Sequence, residues 1–144
     1  SPNGKQMIFT TGVERASSLQ LSLANGNGNN AQPIDLVKTL INKCIWSSDN
    51  KTIYCAVPKQ VTQSFVLPDD YAQGRVTTED TFWKINAETR EATRLFEENA
   101  IQKKVGDKLE TVFPDARELW FSQDESVLFV RTSQGAVWAI EIGE

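Results

Sequence analysis

Lys43 to Val57 reads KCIWSSDNKTIYCAV: an apolar run, a cluster of Ser, Asp, Asn and Lys, and a second apolar run. β-branched and aromatic residues flanking such a polar cluster predict a β-hairpin. Pairing Ser47 with Thr52 around the turn sets Trp46 opposite Ile53, Ile45 opposite Tyr54 and Cys44 opposite Cys55. Both faces of this hairpin are then apolar, as a sheet needs when other sheets cover it on each side.

The same unit recurs at both ends of the chain. Ser122-Gln123-Asp124-Glu125-Ser126 aligns with Ser47-Ser48-Asp49-Asn50-Lys51 and puts Phe121 on Trp46, Leu128 on Ile53 and Phe129 on Tyr54. Ser1-Pro2-Asn3-Gly4-Lys5 falls on the same turn, with Met7-Ile8-Phe9 where the others have Ile53-Tyr54-Cys55 and Leu128-Phe129-Val130. A recurring hairpin is a repeat signal, which decides the fold before any single motif does.

After each hairpin a third strand follows, over Leu19 to Leu23, Phe82 to Ile85 and Val137 to Ile142, and twice a weaker fourth, around Pro33 to Val37 and Ala92 to Phe96. Four antiparallel strands in meander order make one β-propeller blade. The predicted fold is therefore all-β, a partial propeller of about two and a half blades forming a single unit over 1–144. With strands labelled A to D, the chain reads BCD over 1–37, ABCD over 42–97 and ABC over 117–142.

The turns resemble the Ser-Pro-Asp-Gly-Lys repeat of TolB-like and WD-repeat-like bacterial propellers, in which a Trp-Ser dipeptide ends strand A. The match is Trp46-Ser47-Ser48-Asp49-Asn50-Lys51, Phe121-Ser122-Gln123-Asp124-Glu125 and Ser1-Pro2-Asn3-Gly4-Lys5; Ser48 and Gln123 replace the turn Pro, and Asn50 and Glu125 the Gly. The resemblance implies a propeller fold and an extracytoplasmic location, in the cell envelope or secreted. It carries over no active site.

Two long connections interrupt the pattern. Residues 58–80 enlarge the B–C connection of the second blade, which the third blade crosses with Ser133-Gln134-Gly135 alone, and residues 97–116 enlarge the next D–A connection. The first is too apolar for a loose linker; the second has apolar spacing that suits a short helix or an extra hairpin. In an antiparallel meander, B–C and D–A connections leave at the same end of the strands. Both insertions therefore share one face, where a rigid scaffold commonly places recognition. The binding candidates are Phe65, Asp69, Asp70, Tyr71 and Arg75 in the first insertion and Lys103 and Lys104 in the second, with a capped turn after Pro68 as the structural alternative for Asp69-Asp70-Tyr71. By contrast Asn25 to Asn30, NGNGNN, reads as a loose, mobile turn.

Composition narrows function by exclusion. A net charge of −4 with no basic cluster argues against nucleic acid, since Lys103-Lys104 is too small a pair. No apolar run approaches the length of a membrane span, and the chain reads as part of a longer product with blades missing upstream. With no His, a Ser-His-Asp set cannot form, and Glu79-Asp80 reads as a solvated loop end, so no catalytic residue, metal site or cofactor is expected. Asp49 and Asp124 recur at equivalent turns and read as turn caps. Trp46, Trp83, Trp120 and Trp138 read as packing between blades. Cys44 and Cys55 stand opposite each other, where Cβ atoms lie about 4.5–5.5 Å apart. They read first as two buried thiols, second as a disulfide that would mark an oxidising compartment. The functional expectation is a non-catalytic recognition module for a protein, peptide or glycan. The alternatives are a segment that self-associates through open blade edges and the propeller part of a larger peptidase-like enzyme.

Overall fold

A computed structural model describes residues 1–12, 19–60, 66–97 and 100–143, the side chain of Lys103 excepted. In chain order the strands are β1 (Gln6–Gly12), β2 (Leu19–Asn25), β3 (Gln32–Pro33), β4 (Cys44–Trp46), β5 (Thr52–Pro58), β6 (Asp80–Asn86) and β7 (Ala92–Arg94). They continue with β8 (Gln102–Val105), β9 (Lys108–Thr111), β10 (Ala116–Phe121), β11 (Val127–Thr132) and β12 (Val137–Glu141). A 3₁₀ turn over Ile41–Lys43 precedes β4, and one helical turn, α1 (Asp69–Ala72), lies between β5 and β6. The main sheets run β1-β2-β3, β4-β5-β6-β7 and β10-β11-β12, all antiparallel, with β8-β9 a separate hairpin. The molecule is all-β, and its small antiparallel sheets are consistent with partial propeller blades; the second insertion holds the β8-β9 hairpin. The weak strand of the first blade is shorter than its apolar residues suggest. Gln32 and Pro33 pair with β2, Ile34 adds one bond from its N–H to the Leu21 carbonyl at 2.9 Å, and the Leu36 backbone turns into the left-handed region at φ 66°.

The register of β4 and β5 is the one the sequence predicts: Cys44 opposite Cys55, Ile45 opposite Tyr54, Trp46 opposite Ile53. Because side chains alternate across a strand, the second sheet sends two apolar sets in opposite directions. Ile53, Cys55, Val57 and Ile85, flanked by Cys44, Trp46 and Trp83, pack on Leu21, Leu23, Ile34 and Val37 of the first sheet and its connection. Tyr54, Ala56 and Phe82, flanked by Ile45, pack on Ala116, Leu128, Val130 and Ile140 of the third. Two cores thus hold three layers in a row.

The disulfide alternative is the one realised: Cys44 and Cys55 are bonded across β4 and β5, on the side facing the first sheet. A cross-link there closes the loop that contains the turn, which limits the unfolded chain more than it alters the folded one.

The three turns share one geometry. In each, the fourth residue's N–H donates to the first residue's carbonyl: Gly4 to Ser1 at 3.0 Å, Asn50 to Ser47 at 3.2 Å and Glu125 to Ser122 at 3.0 Å. That fourth residue has positive φ each time, 71° at Gly4, 58° at Asn50 and 55° at Glu125. This conformation strains most L-residues, which explains the Gly of the resembled repeat; Asn tolerates it, and Glu125 bears the cost in return for bonds to the neighbouring turn. The residue before it supplies the cap. The amide oxygen of Asn3 accepts from Lys5 N–H, Asp49 accepts from Lys51 and Thr52 N–H, and Asp124 accepts from Ser126 N–H.

The Asn-Gly turn after β2 packs at Gly26 against the first turn. The Gly26 N–H donates to the Lys5 carbonyl at 2.8 Å, and a Cβ at Gly26 would lie 2.0 Å from the Gly4 carbonyl oxygen. Close backbone approach, not looseness, is what this glycine provides.

Candidate functional site

The two insertions do end side by side. Asp80, the first residue of β6, donates its N–H to the carbonyl of Pro114, just before β10, and Ser133 in the β11–β12 turn donates to Asp115. Around this edge lies a charged cluster inside the protein. The Lys43 ammonium, fully buried, lies 2.6 Å from Asp80 Oδ2, 3.0 Å from Asp115 Oδ1, 2.7 Å from Thr78 Oγ1 and 2.9 Å from the Ala116 carbonyl. Three protons are thus shared among four acceptors, a saturated arrangement that an isolated buried ammonium would need. Asp80 Oδ2 also accepts from the Ala116 N–H at 2.7 Å.

Asp115 is the hub. Its Oδ1 accepts from Thr78 and lies 2.9 Å from the Tyr71 hydroxyl, while Oδ2 accepts from Nε and Nη2 of Arg117 at 3.1 and 2.9 Å. Arg117 reaches this position from a bulge between Ala116 and Glu118, the kind of irregularity that re-aims a side chain. Its guanidinium also donates to the carbonyls of Tyr71 and Val76 and lies 3.8 Å from the Tyr71 ring centroid, so it pins the first insertion to the third sheet. The Lys43 ammonium lies 4.6 Å from the same centroid. Leu67 and Tyr71 complete the anchorage by packing on Leu19 and Leu40.

The carboxyls on either side of Lys43 are driven in opposite directions. Burial pushes Asp80 above its ordinary pKa, against the Lys43 charge and its hydrogen bonds. For Asp115, desolvation is outweighed by the Lys43 charge and by bonds from Lys43, Thr78 and Tyr71, and its pKa is held down. Burial, then the Asp115 charge, pushes the Tyr71 hydroxyl up, so it remains a neutral donor. Among the described residues Asp80 Oδ1 is buried with no hydrogen-bond partner, which fits the upward shift.

This placement corrects three expectations. Tyr71 is 2% exposed, with its hydroxyl engaged between Asp115 and the Ala116 carbonyl, and offers no surface to a partner. Of the Glu79-Asp80 pair, Glu79 is exposed but the Asp80 side chain is wholly buried, because its carboxylate neutralises Lys43. Trp46, Trp83 and Trp138 border the two cores, but Trp120 faces outward and stacks on Phe129 at 5.6 Å.

The remaining candidates divide. Asp69 and Asp70 open α1, whose N-cap Pro68 has no side-chain cap; Asp70 instead accepts the Val66 N–H at 2.7 Å, closing the turn across Pro68, and pairs with the exposed Arg75 at 3.0 Å. The Val66 bond, aided by Arg75, holds the Asp70 carboxyl below its ordinary value. Lys104 lies on β8 opposite Leu109, exposed; Lys103 lies beside it with its side chain outside the described set, and Phe65 lies outside the described residues altogether. The sequence reading missed Lys43, Thr78, Asp80, Asp115 and Arg117. An Asp at the start of an apolar strand, and a Lys just before one, were the available signals.

Above the cluster opens a cleft of about 240 Å³. Thr78 and Glu79 of the first insertion, Phe113 and Asp115 of the second, and Ser133 and Gln134 of the β11–β12 turn line it. Lys59 places its ammonium 3.6 Å from the Phe113 ring centroid and covers that ring. The volume is below the roughly 300–1,000 Å³ of small-molecule pockets, and suits a side chain or two of a larger ligand.

No family model matches the chain, and neither does any curated protein. Among solved structures, the crystal structure of TolB from Acinetobacter baumannii is similar, with a TM-score of 0.55 and 11% identity over 99% of this chain. The chain spans 28% of the length of that TolB chain. A likeness at this identity shows the fold, blades of a TolB-like propeller, and goes no further.

Proposed function

We propose that this chain is a non-catalytic recognition module that binds a protein or peptide partner at the end bearing both insertions. The observation that supports this reading is the cleft where the insertions and the β11–β12 turn converge, lined by hydroxyl and amide groups over a floor fixed by Lys43, Asp115 and Arg117. A floor held by buried ion pairs stays in place before a ligand arrives, so little ordering entropy is left to oppose binding. Asp80 and Asp115 are occupied in holding Lys43, and Tyr71 is a neutral donor; such groups build a scaffold, not a proton relay. The Cys44–Cys55 bond supports an extracytoplasmic setting, where disulfides persist.

The test is selection of peptides from a random phage-displayed library on the immobilised chain, followed by amide chemical-shift mapping of each selected peptide. Selected peptides should perturb Thr78, Glu79 and Ser133, and Ser133→Trp, which fills the cleft from an exposed turn, should abolish their binding. Perturbations confined to other surfaces, or binding untouched by Ser133→Trp, would overturn the reading.

A further inference from the structure

The walls of the cleft differ from its floor. In the floor every charge is matched, Lys43 with Asp80 and Asp115, and Asp115 with Arg117. In the walls the polar groups are unmatched. Among the described residues, the Thr77 and Ser133 hydroxyls, the Gln134 amide, the Trp138 indole N–H and the Glu79 carboxylate line the cleft without a hydrogen-bond partner inside the protein. Trp138 is half-buried and borders the core between the second and third sheets, where an indole N–H ordinarily finds an acceptor. The described lining holds two carboxyls, Glu79 and Asp115, and no Lys or Arg. Since Lys43 and Arg117 occupy Asp115, Glu79 is the uncompensated charge of that lining. Phe113 adds an aromatic face that attracts cations, as the Lys59 ammonium 3.6 Å from its centroid shows. The Lys59 N–H donates to the Glu79 carbonyl at 2.8 Å, yet among the described residues the Glu79 side chain forms no ion pair.

We infer that the cleft takes a Lys or Arg side chain of a peptide segment, with the cation on Glu79 and the aliphatic stem against Phe113 and Trp138. The inference rests on the recognition reading above and adds the kind of side chain the site selects. The unmatched groups divide the work. Glu79 accepts from the ammonium or guanidinium, and the stem of such a side chain is apolar enough to lie on the two rings. The Trp138 N–H, the Gln134 amide and the Ser133 hydroxyl are left to bond the backbone of the segment, which carries both donors and acceptors. An acidic side chain would instead meet Glu79 with no lining cation to offset the repulsion. The net charge of −4 favours the approach of a basic segment as well. Lys59, resting on Phe113, is the internal cation that such a ligand would meet first.

Chemical-shift titration with end-blocked peptides tests the inference, the peptides carrying Arg, norleucine or Glu at the centre of a glycine frame. The Arg peptide should shift the Glu79, Ser133 and Gln134 amides and the Trp138 indole. It should bind about 3–10-fold more tightly than the norleucine peptide, the worth of one charge-assisted hydrogen bond at an exposed carboxylate, and the Glu peptide should bind most weakly. Glu79→Gln, at an exposed position, should erase the preference for Arg and leave the norleucine peptide unaffected. Lys59→Gln removes a like charge and should tighten the Arg peptide by about 2-fold or more. Equal binding of the Arg and norleucine peptides at the cleft, a preference for Glu, or an Arg preference that survives Glu79→Gln would overturn the inference while the recognition site stood. Lys59→Gln weakening the Arg peptide would overturn it too. If the Arg peptide shifts nothing in the cleft, the inference fails alone where library-selected peptides still map there, and fails together with the recognition reading where they do not.

Discussion

The two ends of the strands solve the same problem, closing an antiparallel layer, by opposite means. At the turn end, each closure is made by residues no more than five apart, through a carboxylate or amide cap and one left-handed residue, and it recurs in all three sheets. At the insertion end, closure is made once, by Lys43, Tyr71, Thr78, Asp80, Asp115 and Arg117 acting together across some seventy positions of chain. The turn end is cheap to repeat and exposed. The insertion end is a single buried assembly, and it is where the surface departs from the repeat. Repeated local closure and a single long-range assembly are thus divided between the two ends.

Breaking the insertion end should have the largest effect. Lys43→Met leaves Asp80 and Asp115 buried without their cation, and should cost about 3–5 kcal/mol in denaturant unfolding at neutral pH. A cost under about 1 kcal/mol would mean that water already enters the cluster and that the contrast between the ends is false. Next comes the disulfide, which closes the loop around one turn with a sequence separation of 11. Replacing both cysteines by alanine should lower stability by about 2–4 kcal/mol while leaving the sheet order intact.

The smallest effect sharpens the comparison at a single turn. Bonds from the Ser122 hydroxyl, the Ser126 N–H and the Ser126 hydroxyl lower the Asp124 carboxyl to about 2 from an ordinary 3.8. A carboxyl depressed on folding stabilises the folded state above its ordinary pKa, and that contribution disappears as pH falls through the folded value. Carbon-detected NMR should therefore show Asp124 titrating near 2, and Ser122→Ala should move the midpoint toward 3.8. An unshifted midpoint would mean that the carboxylate does not cap the turn.

The same contrast explains what could be read from the residues alone. The hairpin register, the blade order and the common end of the insertions follow from alternation and turn chemistry, both local, so Cys44 opposite Cys55 and the caps at Asp49 and Asp124 were legible. Tyr71 was legible as important but was assigned the wrong role, since an aromatic beside two Asp reads as a contact residue until its burial is known. Lys43 and Asp80 were illegible in a different way. A buried ion pair is defined by which charges meet, and residues 37 positions apart give no local sign of meeting. Trp120 shows the limit of a repeat argument, because the rule that packs a residue at one copy does not fix how exposed it is at another.

Hydrogen exchange at the first insertion tests the central claim most directly, because the account needs that insertion to be fixed before any ligand binds. The amides of Ala72, Gln73 and Arg75, bonded to Pro68, Asp69 and Asp70 in the structure, should be protected in the unliganded chain. Arg117→Met, which unpins the carbonyls of Tyr71 and Val76, should release them while the Ser126 amide at the third turn keeps its rate. Exchange of those insertion amides at unfolded-chain rates in the unaltered protein would contradict the account, because the proposed recognition face would then not exist until something bound it.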